Sequence, residues 1–225
     1  MHLYTGNKNY SSWSLRAWLL MQHAGIAFEE KRLRFDWAES SPFKTTLLAI
    51  APTGRVPLLV DDDGFAIWDS LAIAETLAER FPDKHLWPID ARRRARARSI
   101  CAEIHSGFTD LRNAFPMNVE AELSPVGARV LAENPGAARE LARIDAMWRE
   151  ALEASGGPFL FGAFSIADAF FAPVCSRAHT YALPLSPRSA DYAKHILALP
   201  AFAQWTDAAL AENDFVAEDE PYRKR

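Results

Sequence analysis

The sequence predicts an α/β unit followed by an all-helical unit, and three observations predict it. In the first eighty or so residues, short apolar runs carrying β-branched or aromatic residues alternate with helical spacings. A proline-bracketed segment, Phe81-Pro82-Asp83-Lys84-His85-Leu86-Trp87-Pro88, then breaks the pattern. Beyond Pro88 the strand-like alternation stops and apolar residues recur at steps of three and four. The expected boundaries are residues 1–81 for the first unit, 82–90 for a linker and 91–225 for the helical unit.

Leu3–Thr5 reads as a short strand. Leu15, Trp18, Leu19 and Gln22 give the run from Ser14 to Ala24 a helical period, closed by Gly25. Phe28–Arg34 is charged and extended, which suits an edge strand. The apolar run Val56–Val60, the turn Asp61-Asp62-Asp63-Gly64 and Phe65–Trp68 form a hairpin. Leu71, Ala74, Leu77, Ala78 and Phe81 mark one face of a helix that stops before Pro82. The order is β-α-β, a turn-rich loop, then β-β-α. In the second unit, Leu141, Ile144, Trp148 and Leu152 trace a long helix, and Pro/Gly clusters at 124–127, 134–136, 156–158 and 184–187 punctuate the rest.

Composition removes several function classes. Of 225 residues, 49% are apolar and 24% charged, which is ordinary globular usage and unlike a disordered or collagenous chain. A net charge of −4 does not suit a polyphosphate partner, so no nucleic acid is expected. The run Arg92-Arg93-Arg94-Ala95-Arg96-Ala97-Arg98 spreads round the helix at helical pitch and reads as a solvated helix start or a subunit contact. Cys101 and Cys175 are too few for a disulfide framework, and the six histidines show no metal-ligand spacing, so no metal is expected. No apolar stretch reaches the roughly 18 residues of a membrane span. Lys8 precedes any apolar run, so no signal-peptide layout is seen and a cytoplasmic protein is expected.

An α/β unit in this order, with Val56-Pro57 at a strand start, Asp69-Ser70 at a helix start and a helical half behind it, resembles the cytosolic glutathione S-transferase family. The resemblance runs over essentially the whole chain. It implies a thioredoxin-like glutathione-binding domain, a helical C-terminal domain and a homodimer, with reduced glutathione as co-substrate. Tyr10-Ser11-Ser12-Trp13-Ser14-Leu15-Arg16 is similar to the serine motif of the zeta class, and Asn9 to Leu20 to a bacterial branch near it. Trp13 stands where the zeta pattern has a cysteine, which puts zeta-type isomerase chemistry in doubt.

Glutathione chemistry needs the thiolate, the nucleophilic form of the sulfur. Lowering a thiol pKa by about two units requires about 2.7 kcal/mol of differential stabilisation, within reach of one charge-assisted hydrogen bond and a helix N-terminus. Ser11 and Ser12 stand just ahead of the first helix. On spacing alone both can be N-caps; the resemblance makes Ser11 the sulfur's hydrogen-bond donor, with Ser12 next and Tyr10 a minority option. Neither cysteine lies in the first unit, so exchange through an enzyme thiol is not expected.

The resemblance implies a cis bond at Val56-Pro57, with the main chain of Val56 on the cysteinyl part of glutathione. By itself the pair reads as a strand-initiating proline. Asp69-Ser70 lacks a capping-box partner, since three residues after Ser70 comes Ile73, so the first-turn N–H groups are expected to be free for an anion. Ser70 then takes the γ-glutamyl carboxylate and Asp69 the amine; an ordinary N-cap is the alternative. Arg55 is a candidate for the glycyl carboxylate or for steering the tripeptide, with a solvated surface arginine as the alternative, and Trp37 in the loop Phe35–Pro42 is a candidate cover for that end. Trp13, His105, Phe108 and Phe115 are candidate walls for a small hydrophobic electrophile. Phe164-Ser165-Ile166-Ala167-Asp168 resembles the family's capping box and staple, a folding motif whose inner staple position is only Ala169. The expected activity is conjugation of glutathione to a hydrophobic electrophile, a detoxification reaction. The alternatives are maleyl-type cis-trans isomerisation and a non-catalytic binding protein of the same fold.

Overall fold

The computed structural model describes residues 1–224. The first unit holds β1 (His2–Thr5), α1 (Ser12–His23), β2 (Glu29–Arg32), α2 (Pro42–Leu48), β3 (Leu58–Val60), β4 (Ala66–Trp68) and α3 (Ser70–Arg80). Its sheet has the order β2-β1-β3-β4, with β1 and β2 parallel and β3 antiparallel to both neighbours. Alternation along the strands sorts the side chains into two layers. Leu3, Leu59 and Ile67 join the core formed with Leu15 and Leu19 of α1 and Ile73 and Leu77 of α3. Leu58 and Val60 face the other way, against Phe43 and Leu47 of α2. Both faces of β3 are covered, which is why the run reads as continuously apolar. The charged strand β2 sits at the sheet edge, as expected from Phe28–Arg34.

The seven-residue helix α2 lies where the sequence reading has only a turn-rich loop. Its signal is local: Ser41 accepts from the Lys44 N–H at 3.2 Å and Pro42 occupies the first helical position.

After a 3₁₀ turn at Pro82–Lys84 come α4 (Ala91–Ser106), α5 (Thr109–Ala114), α6 (Ser124–Glu133), α7 (Pro135–Ser155), α8 (Ile166–Thr180), α9 (Pro187–Leu197) and α10 (Pro200–Glu212). The Pro/Gly clusters fall at helix ends: α7 and α9 begin at prolines, and Gly156 closes α7 with φ +83°. Helix α8 is central and almost wholly buried. At its start, Asp168 accepts from the Ser165 N–H at 2.9 Å, the Leu160 N–H at 3.1 Å and the Tyr192 hydroxyl at 3.1 Å. Phe164 reaches the first unit. It stacks on His23 of α1 with ring centroids 3.8 Å apart, so the motif joins the two units.

A second joint is polar. The Lys8 ammonium lies 2.8 Å from Glu30 and over the rings of Trp18 and Trp205, while Trp205 donates to the Lys8 carbonyl. Two arginines of the run are held by neighbours: Arg98 makes a two-bond pair with Glu75, and Arg94 donates to the carbonyls of Pro88 and Ile89. Among the described residues, no helix is long and apolar enough to cross a membrane.

Candidate functional site

Two adjoining cavities, of about 460 and 610 Å³, lie where the α/β unit meets the helices. They share Trp13, Arg55 and Val56. Each is built at the N-terminus of a helix of the first unit, where backbone N–H groups and the helix dipole favour negative charge.

The smaller cavity sits at the start of α3 and includes Asp69, Ser70, Pro57 and His105. The Val56–Pro57 bond is cis. Asp69 has φ +74° and caps α3: its Oδ1 accepts from the Leu71 N–H at 2.8 Å and the Ala72 N–H at 3.3 Å. The expectation that the first-turn N–H groups are free is corrected here, because a carboxylate one residue ahead reaches back to two of them. Ser70 is different. Its Oγ is buried and finds no hydrogen-bond partner among the described residues, an unusual state for a buried hydroxyl.

His105, at the end of α4, brings Nε2 to 3.1 Å from Asp69 Oδ2 and sets its ring edge-on to Trp13, with centroids 5.3 Å apart. Burial lowers its pKa and Arg16 and Arg112 push the same way, while Asp69 opposes them. The imidazole is therefore neutral at pH 7 and donates one hydrogen bond to Asp69.

The larger cavity sits at the start of α1. Ser11 and Ser12 both line it. Ser11 is the N-cap of α1, accepting weakly from the Ser14 N–H at 3.4 Å, and its hydroxyl lies 2.7 Å from the Ser14 hydroxyl. Ser14 Oγ in turn accepts from the Gly6 N–H at 3.2 Å. A chain Gly6–Ser14–Ser11 thus ends at the cavity wall. Tyr10 also borders the cavity, but its hydroxyl donates to Glu220 at 2.7 Å. Burial, then Glu220, pushes the Tyr10 pKa up to about 12. A phenol so engaged is not available to a sulfur.

Of the four expected wall residues, Trp13 lines both cavities and His105 the smaller one. Phe108 and Phe115 do not. Both are buried, Phe115 completely, with its ring against Tyr181. The short helix α5 follows Phe108 at φ +58°, and that bend turns both aromatic rings into the helical core. Arg112, Asn113, Pro116 and Met117, from the same stretch, take the wall positions instead. Arg55 is exposed and lines both cavities, and Trp37 and Lys44 line the larger one with it.

The sequence reading misses the positive charge under the site. Arg16 is nearly fully buried between the rings of Trp13 and Phe170, and its Nε and Nη1 find no acceptor among the described residues. Burial, Arg177 and Arg112 lower its pKa to about 9, still above neutrality. Arg177, also buried, donates to the carbonyls of Phe115 and Pro173; Arg112 lies over the Trp13 ring. Arg16 and Arg112 thus flank Trp13, Arg177 lines the same cavity, and none of the three has a carboxylate ion-pair partner among the described residues, which favours negative charge in the cleft. Only helix packing assembles them, so spacing could not reveal the group. Among the described residues, no cluster of three or more His, Cys, Asp or Glu gathers as a metal site would.

Comparison with known proteins gives a consistent result. Residues 10–80 match the model of the glutathione S-transferase N-terminal domain, and residues 91–208 match that of its C-terminal domain. A maleylacetoacetate isomerase of Pseudomonas aeruginosa is 33% identical over 119 residues, covering 53% of this chain and 55% of that protein. The chain thus aligns with about half the length of that relative. The maleylacetoacetate isomerase of Rattus norvegicus is 30% identical over 203 residues, with 89% of each chain covered. Among solved structures, a glutathione transferase homologue from Burkholderia with bound glutathione superposes with a TM-score of 0.69 at 24% identity, covering 93% of this chain and 98% of its own.

Proposed function

Because the chain belongs to the glutathione S-transferase family, we propose that it binds reduced glutathione in the two cavities, holds the sulfur as a thiolate and joins it to a small electrophile. The observation that carries this reading is the pairing of an orphaned buried hydroxyl, Ser70 Oγ, with the serine chain of Ser11 and Ser14 across one continuous cleft. Ser70 suits the γ-glutamyl carboxylate, which completes its missing hydrogen bond at the head of α3. Asp69, already capping α3 and bonded to His105, faces the amine with what remains of its accepting capacity. Val56 offers its main chain to the cysteinyl residue, and Arg55 is in place for the glycyl carboxylate.

At the sulfur, a hydroxyl turns about its C–O bond. Without glutathione, Ser11 donates to Ser14 Oγ; on binding the pair reverses so that Ser14 donates to Ser11 Oγ, which turns the Ser11 proton towards the thiolate, and the Gly6 N–H behind Ser14 polarises the chain in the same sense. Ser12, beside it, is the alternative donor. Arg16, Arg112 and Arg177 favour the charged sulfur electrostatically. The apolar side of the electrophile rests on Trp13, Pro116 and Met117.

Calorimetric titration with millimolar reduced glutathione is expected to give a saturable heat, and 1-chloro-2,4-dinitrobenzene to be conjugated. No heat and no conjugate would refute the reading. A second reading, isomerisation of a maleyl-type double bond, is favoured by the names of the relatives; turnover of a maleyl substrate decides it. We also propose a homodimer, supported by the exposed Phe65 beside the edge strand β4 and by exposed Ile89. Sedimentation as a monomer at micromolar concentration contradicts that.

A further inference from the structure

We propose that Asp219 carries the proton of the reaction, taking it from the glutathione thiol and returning it to the electrophile, which suits the site to α,β-unsaturated carbonyl acceptors. The inference rests on the transferase reading above and names its substrate class.

Asp219 belongs to the segment after α10, beyond residues 10–80 and 91–208 where the family models match. That segment returns across the cleft and places Asp219 in the wall of the cavity that holds Ser11 and Ser12. Its Oδ2 is buried and finds no hydrogen-bond partner among the described residues. The neighbouring Glu220 is different: Tyr10 and Arg223 both donate to it. A carboxyl oxygen withdrawn from water with no donor is costly when charged, so the group gives up its proton at a higher pH than an ordinary aspartate. Burial, then Glu218 and Glu220, pushes the Asp219 pKa up to about 6. The other charged groups lining the cavity are Lys44, Arg55, Arg112 and Arg177, with Tyr10 in the same wall, while Glu218 and Glu220 act on Asp219 from its own segment.

The step balances without any further reactant. The S–H bond breaks and an O–H bond forms on Asp219. The sulfur's electron pair forms the S–C bond at the β carbon, and the double-bond pair moves towards the carbonyl to give an enolate. The O–H bond on Asp219 then breaks to protonate the enolate, which regenerates the carboxylate. Net, the thiol adds across the double bond. Substitution on a chlorinated aromatic expels chloride and needs no proton on the product, so the two reactions differ in what they ask of Asp219.

The test compares kcat/KM for an α,β-unsaturated ketone with kcat/KM for 1-chloro-2,4-dinitrobenzene in the parent, Asp219→Asn and Asp219→Glu proteins. In Asp219→Asn the ratio of addition to substitution is expected to fall at least about tenfold, the lower range of general acid–base catalysis. Asp219→Glu recovers most of it. In the parent the ratio falls between about pH 6 and about pH 8 as the acid loses its proton, and in Asp219→Asn it stays level. Should Asp219→Asn not fold, Asp219→Ser is held to the same limits. A ratio unchanged by the substitution, or a pH trend that persists without the carboxyl, overturns the assignment of Asp219 alone. Failure of the parent protein to use either electrophile overturns this inference and the transferase reading together.

Discussion

At the scale of single residues, the serines of α1 divide into a donor and a support. Ser11→Ala removes the group that meets the sulfur, whereas Ser14→Ala leaves that hydroxyl in place but takes away the bond that orients it. Loss of one charge-assisted hydrogen bond is worth about 1.5 to 3 kcal/mol, so Ser11→Ala is expected to raise the bound thiol pKa by about one to two units. Ser14→Ala shifts it by about half as much. Ultraviolet titration of the enzyme–glutathione complex measures both, and a Ser14→Ala complex that titrates like the parent refutes the chain. Ser70→Ala acts on affinity: the glutathione KM is expected to rise about tenfold, roughly 1.4 kcal/mol, while the bound thiol keeps its pKa. An unchanged KM would place the γ-glutamyl carboxylate elsewhere. Residue type and position made the helix starts at Ser11, Ser12 and Ser70 and the proline-led strand after Val56 legible from the chain alone, because these are local features; their roles towards glutathione come from the family resemblance and are proposals. Arg112, Arg177 and Asp219 were not legible, since each reaches the cleft only through packing between elements far apart in the sequence.

At the scale of elements, the start of α8 shows how a short motif becomes a joint. Ser165 and Asp168 were readable as a capping box. The further bonds from Leu160 and Tyr192 were not, because they come from other parts of the chain. Desolvation of this fully buried carboxylate outweighs its hydrogen bonds and pushes its pKa up to about 6 from the ordinary 3.8. The sign follows from proton binding. Between those two values the folded state holds a proton that the unfolded state has lost, so the residue's contribution to stability falls as pH rises through the window. A shift of this size corresponds to about 3 kcal/mol. Relative to Asp168→Asn, which has no such proton, the parent is expected to lose about that much stability between about pH 4 and about pH 7, as read by urea unfolding. Parallel pH profiles for the two proteins refute this. Helix α2 marks the opposite limit of legibility: one turn longer than a loop motif and capped by a single serine, it gains its helical state chiefly from Phe43 and Leu47 against the sheet.

At the scale of the whole molecule, the order of strands and the break at Pro82–Pro88 were visible in periodicity, but the closure of the chain on itself was not. The segment after α10 is tied to both units. Asp214 meets Asn7 and Arg34 of the first, Val216 packs against Tyr10, Phe35 and Phe43, and Tyr222 donates to the Ala114 carbonyl of the second. Burial of Val216 is worth about 2 kcal/mol and the bond from Tyr10 to Glu220 about 1 to 2. Ending the chain after Asn213 is therefore expected to cost about 3 kcal/mol and lower Tm by about 6 to 12 °C. The same cut removes one wall of the larger cavity, so it acts on the site as well as on the fold. Glutathione bound at α3 keeps Ser70, Val56 and Arg55, whereas the electrophile loses its cover. KM for the electrophile should thus rise several-fold more than KM for glutathione. A shortened protein that melts within about 2 °C of the parent with both KM values intact would show the segment to be an appendage, and with it the idea that this chain completes its own second-substrate site would fall.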